Sequence, residues 1–333
     1  MSERIATRYA YGEELAEAGS DSRIVVFDAD VSTCTMSCLF GKRYPERFFN
    51  MGIAEANMVG TAAGMATLGY KPFVNSFAMF MAGRTFEQIR NSVAYPDLNV
   101  TIVGTHAGLG VGEDGATHQC LEDMALMRAV PNMTVICPAD AGETRHAVRS
   151  IVDYDHPVYL RLGRLACGTV TDIEDYHFEI GKAVTLREGT DASIIAVGSM
   201  VERAVQAAEQ LMKENIKVRV LNMHTVKPLD IGAVQKAARE TKAIVTAEEH
   251  NILGGLGSAV AECVAEYMPV PVRRIGTRDT FGRSGNGEKL LDYFGLGVEN
   301  IVDAVKAVIA DKNRGAEAPP FSKPSCKICK TGL

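Results

Sequence analysis

Asn99-Val100-Thr101-Ile102-Val103-Gly104-Thr105-His106-Ala107-Gly108-Leu109-Gly110-Val111-Gly112-Glu113-Asp114-Gly115-Ala116-Thr117-His118 joins a short β-rich run to a long glycine-rich loop. The run, 99–103, ends at Gly104. A short apolar stretch bounded by turn residues reads as a strand buried on both faces. The loop carries four glycines, two histidines and two acids. Glycines let a backbone approach a ligand closely, and histidine changes charge near neutral pH. The same loop also reads as a surface connector with solvated histidines, and its composition does not choose between the two.

Working outward, three similar runs appear at 23–27, 134–137 and 157–162. Helix-like stretches at 6–17, 54–67, 84–94, 118–127 and 142–152 separate them. Apolar strands alternating with helices predict an α/β fold, a parallel sheet with helices on both faces. Ligands gather at the carboxyl ends of such strands. Asp28 and Asp30 follow the first run, His106 the second, and Arg161 and Arg164 close the last. Those arginines read either as a surface charge pair or as an anion clamp.

Residues 166–190 are acidic and turn-rich, and read as a linker. The alternation then restarts, with strands at 192–197, 218–221 and 242–247 and helices at 201–214, 231–239, 254–267 and 298–310. The expected organisation is a domain at 1–165, the linker, a smaller α/β domain at 191–312 and a disordered tail at 313–333. The tail holds Cys326-Lys327-Ile328-Cys329. With no second cysteine or histidine pair following, it predicts no metal site.

At 333 residues the chain suits about two domains. Its net charge of −6 argues against nucleic acid or a polybasic membrane anchor. No apolar run reaches the roughly 18 residues of a spanning helix. The first 17 residues lack the apolar core of a signal peptide. Eight cysteines without a secretion signal read as reduced thiols, which predicts a cytoplasmic protein.

Two further stretches stand out. Glu55 lies in Met51-Gly52-Ile53-Ala54-Glu55-Ala56-Asn57-Met58, the only carboxylate at a helix start built of small and apolar residues. Partial desolvation would suit it to hold or pass a proton; the helix dipole alone would also favour an acid there. Phe73-Val74-Asn75-Ser76-Phe77-Ala78-Met79-Phe80-Met81 reads first as core.

Taken in order, Gly52-Ile53-Ala54-Glu55, Ser76-Phe77-Ala78-Met79-Phe80, Gly112–Gln119, Pro131-Asn132-Met133 and Pro138-Ala139-Asp140 resemble the pyrimidine-binding domain of transketolase. Glu248–Gly257 and Asp279-Thr280-Phe281-Gly282 resemble its C-terminal domain. The resemblance covers about residues 5 to 312. A long transketolase opens with a further domain whose Gly-Asp-Gly motif binds the cofactor's diphosphate through Mg²⁺, and no such motif occurs here. The resemblance therefore implies the C-terminal subunit of a split transketolase, working with a separate N-terminal subunit as an α2β2 assembly.

Carried over residue by residue, it implies the following. Glu55 meets N1′ of the aminopyrimidine of thiamine diphosphate and promotes proton transfer carried by the cofactor. Phe77 and Phe80 pack on the pyrimidine. His118 relays protons near the reacting carbon. Asp114 reads a substrate hydroxyl, Asp30 joins the substrate site, and His106, Arg164 and Arg8 hold the phosphate of a sugar phosphate. Cys34 stands where a serine is expected at that phosphate, and Gly83 where a third aromatic is expected. Two sibling families stay open. Arg161-Leu162-Gly163-Arg164 resembles deoxyxylulose-phosphate synthase. The β subunits of 2-oxo-acid dehydrogenases share this length and domain order but not the loop 105–118.

Overall fold

The structure is a computed structural model that describes residues 4–173 and 176–314. Residues 315–333, and with them the cysteine pair and most of the expected tail, lie outside the described residues. Fourteen strands are present among them: β1 (Ile5–Ala6), β2 (Ile24–Asp28), β3 (Phe48–Asn50), β4 (Lys71–Phe77), β5 (Thr101–Thr105), β6 (Thr134–Ile136), β7 (Val158–Arg161), β8 (Ala166–Cys167), β9 (Val184–Arg187), β10 (Ala192–Ala196), β11 (Val218–Asn222), β12 (Thr225–Lys227), β13 (Ile244–Asn251) and β14 (Val272–Thr277).

Seven strands form one sheet in the order β12-β6-β7-β5-β4-β2-β3, parallel except for β12. Five form a second sheet, β14-β13-β10-β11-β9, parallel except for the edge strand β9. β1 and β8 make a small antiparallel ribbon. The first sheet is buried on both faces because side chains alternate along each strand. Phe27, Val74, Ile102, Val135 and Tyr159 enter one core cluster, while Val26, Phe73, Val103, Ile136 and Leu160 enter the other.

The two sheets are laced together. β12 comes from the second half of the chain but pairs with β6 of the first sheet. β9 lies inside the stretch read as a linker and edges the second sheet.

Several expected elements shift. The helix expected at 118–127 begins only at Asp123, because 106–122 is spent on the loop. The helix expected at 84–94 is largely wide π-type turns, Met79–Arg84 and Ile89–Ala94. β4 covers much of the aromatic stretch: Phe73 is core, whereas Phe77 and Phe80 are only half-buried at its carboxyl end.

Candidate active site

Five parallel strands deliver their carboxyl ends to one edge of the first sheet. Glu55 opens the helix Glu55–Ala66, just after β3. It is 2% exposed and its Oε2 accepts from Arg84 Nη1 at 2.7 Å. Glu55 is thus not the isolated carboxylate the sequence suggests. Arg84 also lies 4.7 Å over the Phe80 ring, a cation–π contact. It is four residues beyond Phe80, one helical turn, which is the only sequence signal that could have found it.

Phe77 ends β4 and packs against His106, which follows β5, with ring centroids 4.2 Å apart. Phe80 meets His118 edge-on at 5.3 Å, and the two phenylalanines stack at 6.1 Å. The aromatic pair and the two loop histidines therefore form one cluster, with the Glu55–Arg84 pair joined to it through Phe80.

His106 is buried with a left-handed backbone, φ 54°. Burial, with Arg8, Arg164 and His118 nearby, lowers its pKa to about 3, so the ring is neutral at any ordinary pH. Its Nδ1 shares a hydrogen bond with the Thr105 hydroxyl at 3.0 Å. Arg8 reaches this region because Thr7 Oγ1 accepts from Gly163 N–H at 2.9 Å, which ties the helix Thr7–Ala18 to the segment after β7. Arg8 Nη1 donates to the Cys34 carbonyl at 2.6 Å, while its buried Nε has no partner. Arg164 donates to the Val111 carbonyl and lies 3.7 Å from both Glu113 and Asp114. Asp114 thus faces a cation at the rim.

Asp30 stands apart from this cluster. It follows β2, adopts φ 66° and accepts from Asn50 at 2.8 Å. Its neighbour Asp28 is fully buried and anchors the turn after β2, taking hydrogen bonds from Val31 N–H, Thr35 and Ser37. Arg161 departs from both of its readings. It is 5% exposed and donates to Asp123 at 2.8 Å and to the Glu249 carbonyl at 2.9 Å, so it is a buried strut between the two halves rather than an anion clamp.

The residues present fit a thiamine cofactor's pyrimidine end. A buried carboxylate stands beside two aromatic rings, and the orphaned Arg8 Nε with Arg164 provides donors for an anion. Among the described residues, no three acids, histidines or cysteines stand together as a metal site, and no helix is long and apolar enough to cross a membrane.

A doubly covered parallel sheet presenting these groups at its carboxyl edge, laced to a second α/β sheet, defines an α/β protein of the thiamine-enzyme type. Residues 3–169 match the family described as Transketolase, pyrimidine binding domain, and residues 181–301 match Transketolase, C-terminal domain. The chain belongs to the transketolase family, whose members use thiamine diphosphate. It is 48% identical over 301 residues to a protein named Putative transketolase C-terminal section from Methanocaldococcus jannaschii, covering 90% of this chain and 94% of that one. It is 45% identical over 307 residues to the 6-deoxy-6-sulfo-D-fructose transketolase subunit SqwH of Clostridium sp. MSTE9, covering 92% and 95%. A solved structure titled "Split gene transketolase, inactive beta4 tetramer" superposes with a TM-score of 0.86 at 49% identity, over 92% of this chain and 99% of that one.

Proposed function

We propose that this chain is the C-terminal subunit of a two-subunit, thiamine diphosphate-dependent transketolase. It moves a two-carbon ketol unit from a ketose carrying an anionic end, phosphate or sulfonate, to an aldose. The carrying observation is the buried Glu55 carboxylate beside Phe77 and Phe80, with His106, His118, Arg8 and Arg164 grouped at the same strand ends. Bound cofactor supplies the electron sink for carbon–carbon cleavage.

This chain's residues do the rest. Glu55 holds a proton at the pyrimidine nitrogen, and Phe77 and Phe80 flank the ring. His118 is half-buried at the rim and moves protons near the substrate. The neutral His106 hydrogen-bonds without adding charge, and Arg8 and Arg164 hold the anionic end, where bidentate geometry favours arginine. Asp114 reads a substrate hydroxyl, and Asp30 joins the substrate site from the turn after β2.

An N-terminal subunit binds the diphosphate and Mg²⁺, and two copies of each subunit assemble as α2β2, with the division into 1–165 and 191–312 part of the same reading. The printed names of the relatives, a C-terminal section, a subunit and a split-gene tetramer, support it. We place the protein in the cytoplasm, since Cys34, Cys38, Cys120, Cys137, Cys167 and Cys263 are all free thiols. The test is reconstitution. Alone, the chain is expected to be inactive. With the N-terminal subunit, thiamine diphosphate and Mg²⁺ it should transfer a two-carbon unit from a ketose phosphate. Turnover by the chain alone sinks the two-subunit reading; pyruvate decarboxylation without ketol transfer sinks the transketolase reading.

A further inference from the structure

The strap 106–118 is gripped from its far side by the C-terminal half of the chain. Glu249, near the end of β13, is 6% exposed and uses both carboxylate oxygens. Oε1 accepts the backbone N–H of Gly110 at 2.6 Å, and Oε2 accepts the Ser199 hydroxyl at 2.6 Å. The strap lies flush on this carboxylate: a Cβ on Gly108, where φ is 81°, would stand 2.3 Å from Glu249 Oε1. The Glu249 carbonyl is itself fixed by Arg161 at 2.9 Å.

A second grip lies farther along. Ser284 Oγ donates to the Glu113 carbonyl at 2.8 Å, and Gln119 Nε2 donates to the Arg283 carbonyl at 2.9 Å. The other side of the strap bears Asp114, facing Arg164, and its two ends are His106 and His118.

A strap with four glycines has many unstrained alternatives, and few intrinsic reasons to prefer the one seen. The conformation is selected by what holds it. A backbone N–H donating to a buried carboxylate is a strong polar hold on a loop, roughly twice a neutral hydrogen bond when the acid is ionised. Charged anchors inside a packed junction also move little, so the groups on the strap are placed before a ligand arrives.

We propose that Glu249 is a positioning residue that, through the Gly110 N–H, fixes the strap bearing Asp114, His106 and His118, so that the C-terminal half of the chain sets the enzyme's affinity for its ketose. This rests on the substrate-binding reading of the strap. Glu249 touches no reacting atom.

The test compares Glu249→Ala, Glu249→Gln and Ser284→Ala in the full chain, by amide hydrogen exchange and by steady-state kinetics of the assembled enzyme with fructose 6-phosphate as donor. Glu249→Gln keeps one acceptor for Gly110 and is the rescue variant. Glu249→Ala is expected to speed exchange at 108–115 at least tenfold while β10 keeps its protection. It should raise KM about tenfold with kcat within threefold. Glu249→Gln should stay within threefold of the parent in both, and Ser284→Ala should loosen the 112–115 end alone. Unchanged strap exchange in Glu249→Ala overturns the proposal, as does uniform loss of protection through β10, which marks a merely structural role. Should Glu249→Ala fail to fold, Ser284→Ala decides: local loosening with a raised KM supports the strap's control by the C-terminal half, and parental exchange and KM overturn it. If the strap loosens while KM holds, the proposal also fails. An Asp114→Asn variant with parental KM would then assign the failure to the substrate-binding reading itself.

Discussion

Glu55 begins a helix whose other residues are small or apolar, yet its carboxylate has a cation at 2.7 Å and an aromatic ring beyond that. The pair is asymmetric: Glu55 is almost fully buried, while about half of the Arg84 side chain remains in solvent. Arg84 therefore pairs with the acid while remaining free to move aside, and it engages only one carboxylate oxygen. Glu55→Gln preserves volume and an acceptor but removes the ability to hold and return a proton. It is expected to cut ketol transfer by a factor of about 10² to 10⁴ while the circular dichroism spectrum and unfolding midpoint stay near those of the parent. Retained turnover would remove Glu55 from the mechanism. Arg84→Met strands the buried carboxylate without its cation. With Arg84 half-exposed, a loss of stability of about 1–2 kcal/mol is expected. Denaturant unfolding checks it, and no change would mean that water screens Glu55 already.

Elements were legible where burial is the whole story. The runs at 23–27, 134–137 and 192–197 are apolar but for Arg23, Thr134 and Ser193, and became β2, β6 and β10 almost residue for residue. β4 was missed as a strand because it starts Lys-Pro and carries Asn75-Ser76. Those polar residues are buried through specific bonds invisible to periodicity: Asn75 Nδ2 donates to the Phe27 carbonyl at 2.9 Å and Tyr11 donates to Asn75 Oδ1 at 2.5 Å. Arg84 and Glu249 escaped for the same reason, since their roles depend on partners 29 and 139 residues away. Glu55 and His106 were visible because they sit at a helix start and just past a strand end, positions that local pattern does fix; His118 was visible as part of the glycine-rich loop, and Phe77 and Phe80, which local pattern reads as core, only through the family resemblance. Asp140 is an element-level case of both kinds. It caps the helix Ala141–Val152 by accepting Glu143 N–H at 3.0 Å, as a cap should. It also accepts from Val170 N–H at 2.7 Å and from Thr171 N–H at 2.9 Å, and so ties down the start of the former linker. Asp140→Ala orphans several buried donors at once and is expected to cost about 2–4 kcal/mol, read as a lower denaturant midpoint. A cost below about 1 kcal/mol would mean that water replaces the carboxylate.

At the scale of the molecule, the two halves meet through buried ionisable groups, and this gives folding a particular pH dependence. His224 and His250 are fully buried, and burial lowers each to about 4, while His106 at the strap is lowered to about 3. Burial raises Glu143 and Glu248 to about 7, although Glu143 accepts from Tyr176 and Asn222 and Glu248 accepts the N–H groups of Leu256 and Gly257. The two sets act in opposite directions. The three imidazoles give their full stability above their ordinary value of 6.5, and it is lost as pH falls toward 4 and 3, where the unfolded chain takes protons the folded one refuses. The two acids give theirs in full below their ordinary 4.5, and it is lost as pH rises through 7, where the folded chain keeps protons the unfolded one has released. Between 4.5 and 6.5 the three histidines narrowly outweigh the two acids, so stability should climb gently with pH. Just above 6.5 only the acids act, and it should fall slightly before levelling. Below 4.5 the acids no longer offset the histidines, but His224 and His250 themselves begin to take protons in the folded chain near 4, so the decline keeps its slope and then eases. Denaturant unfolding from pH 4 to 9 is therefore expected to give a broad maximum near pH 6.5, with an acid limb whose slope grows down to about pH 4.5 and no further below it. A maximum at pH 5 would show that the two acids outweigh the three histidines, and so that the imidazoles are less strongly desolvated in the folded chain than their burial implies.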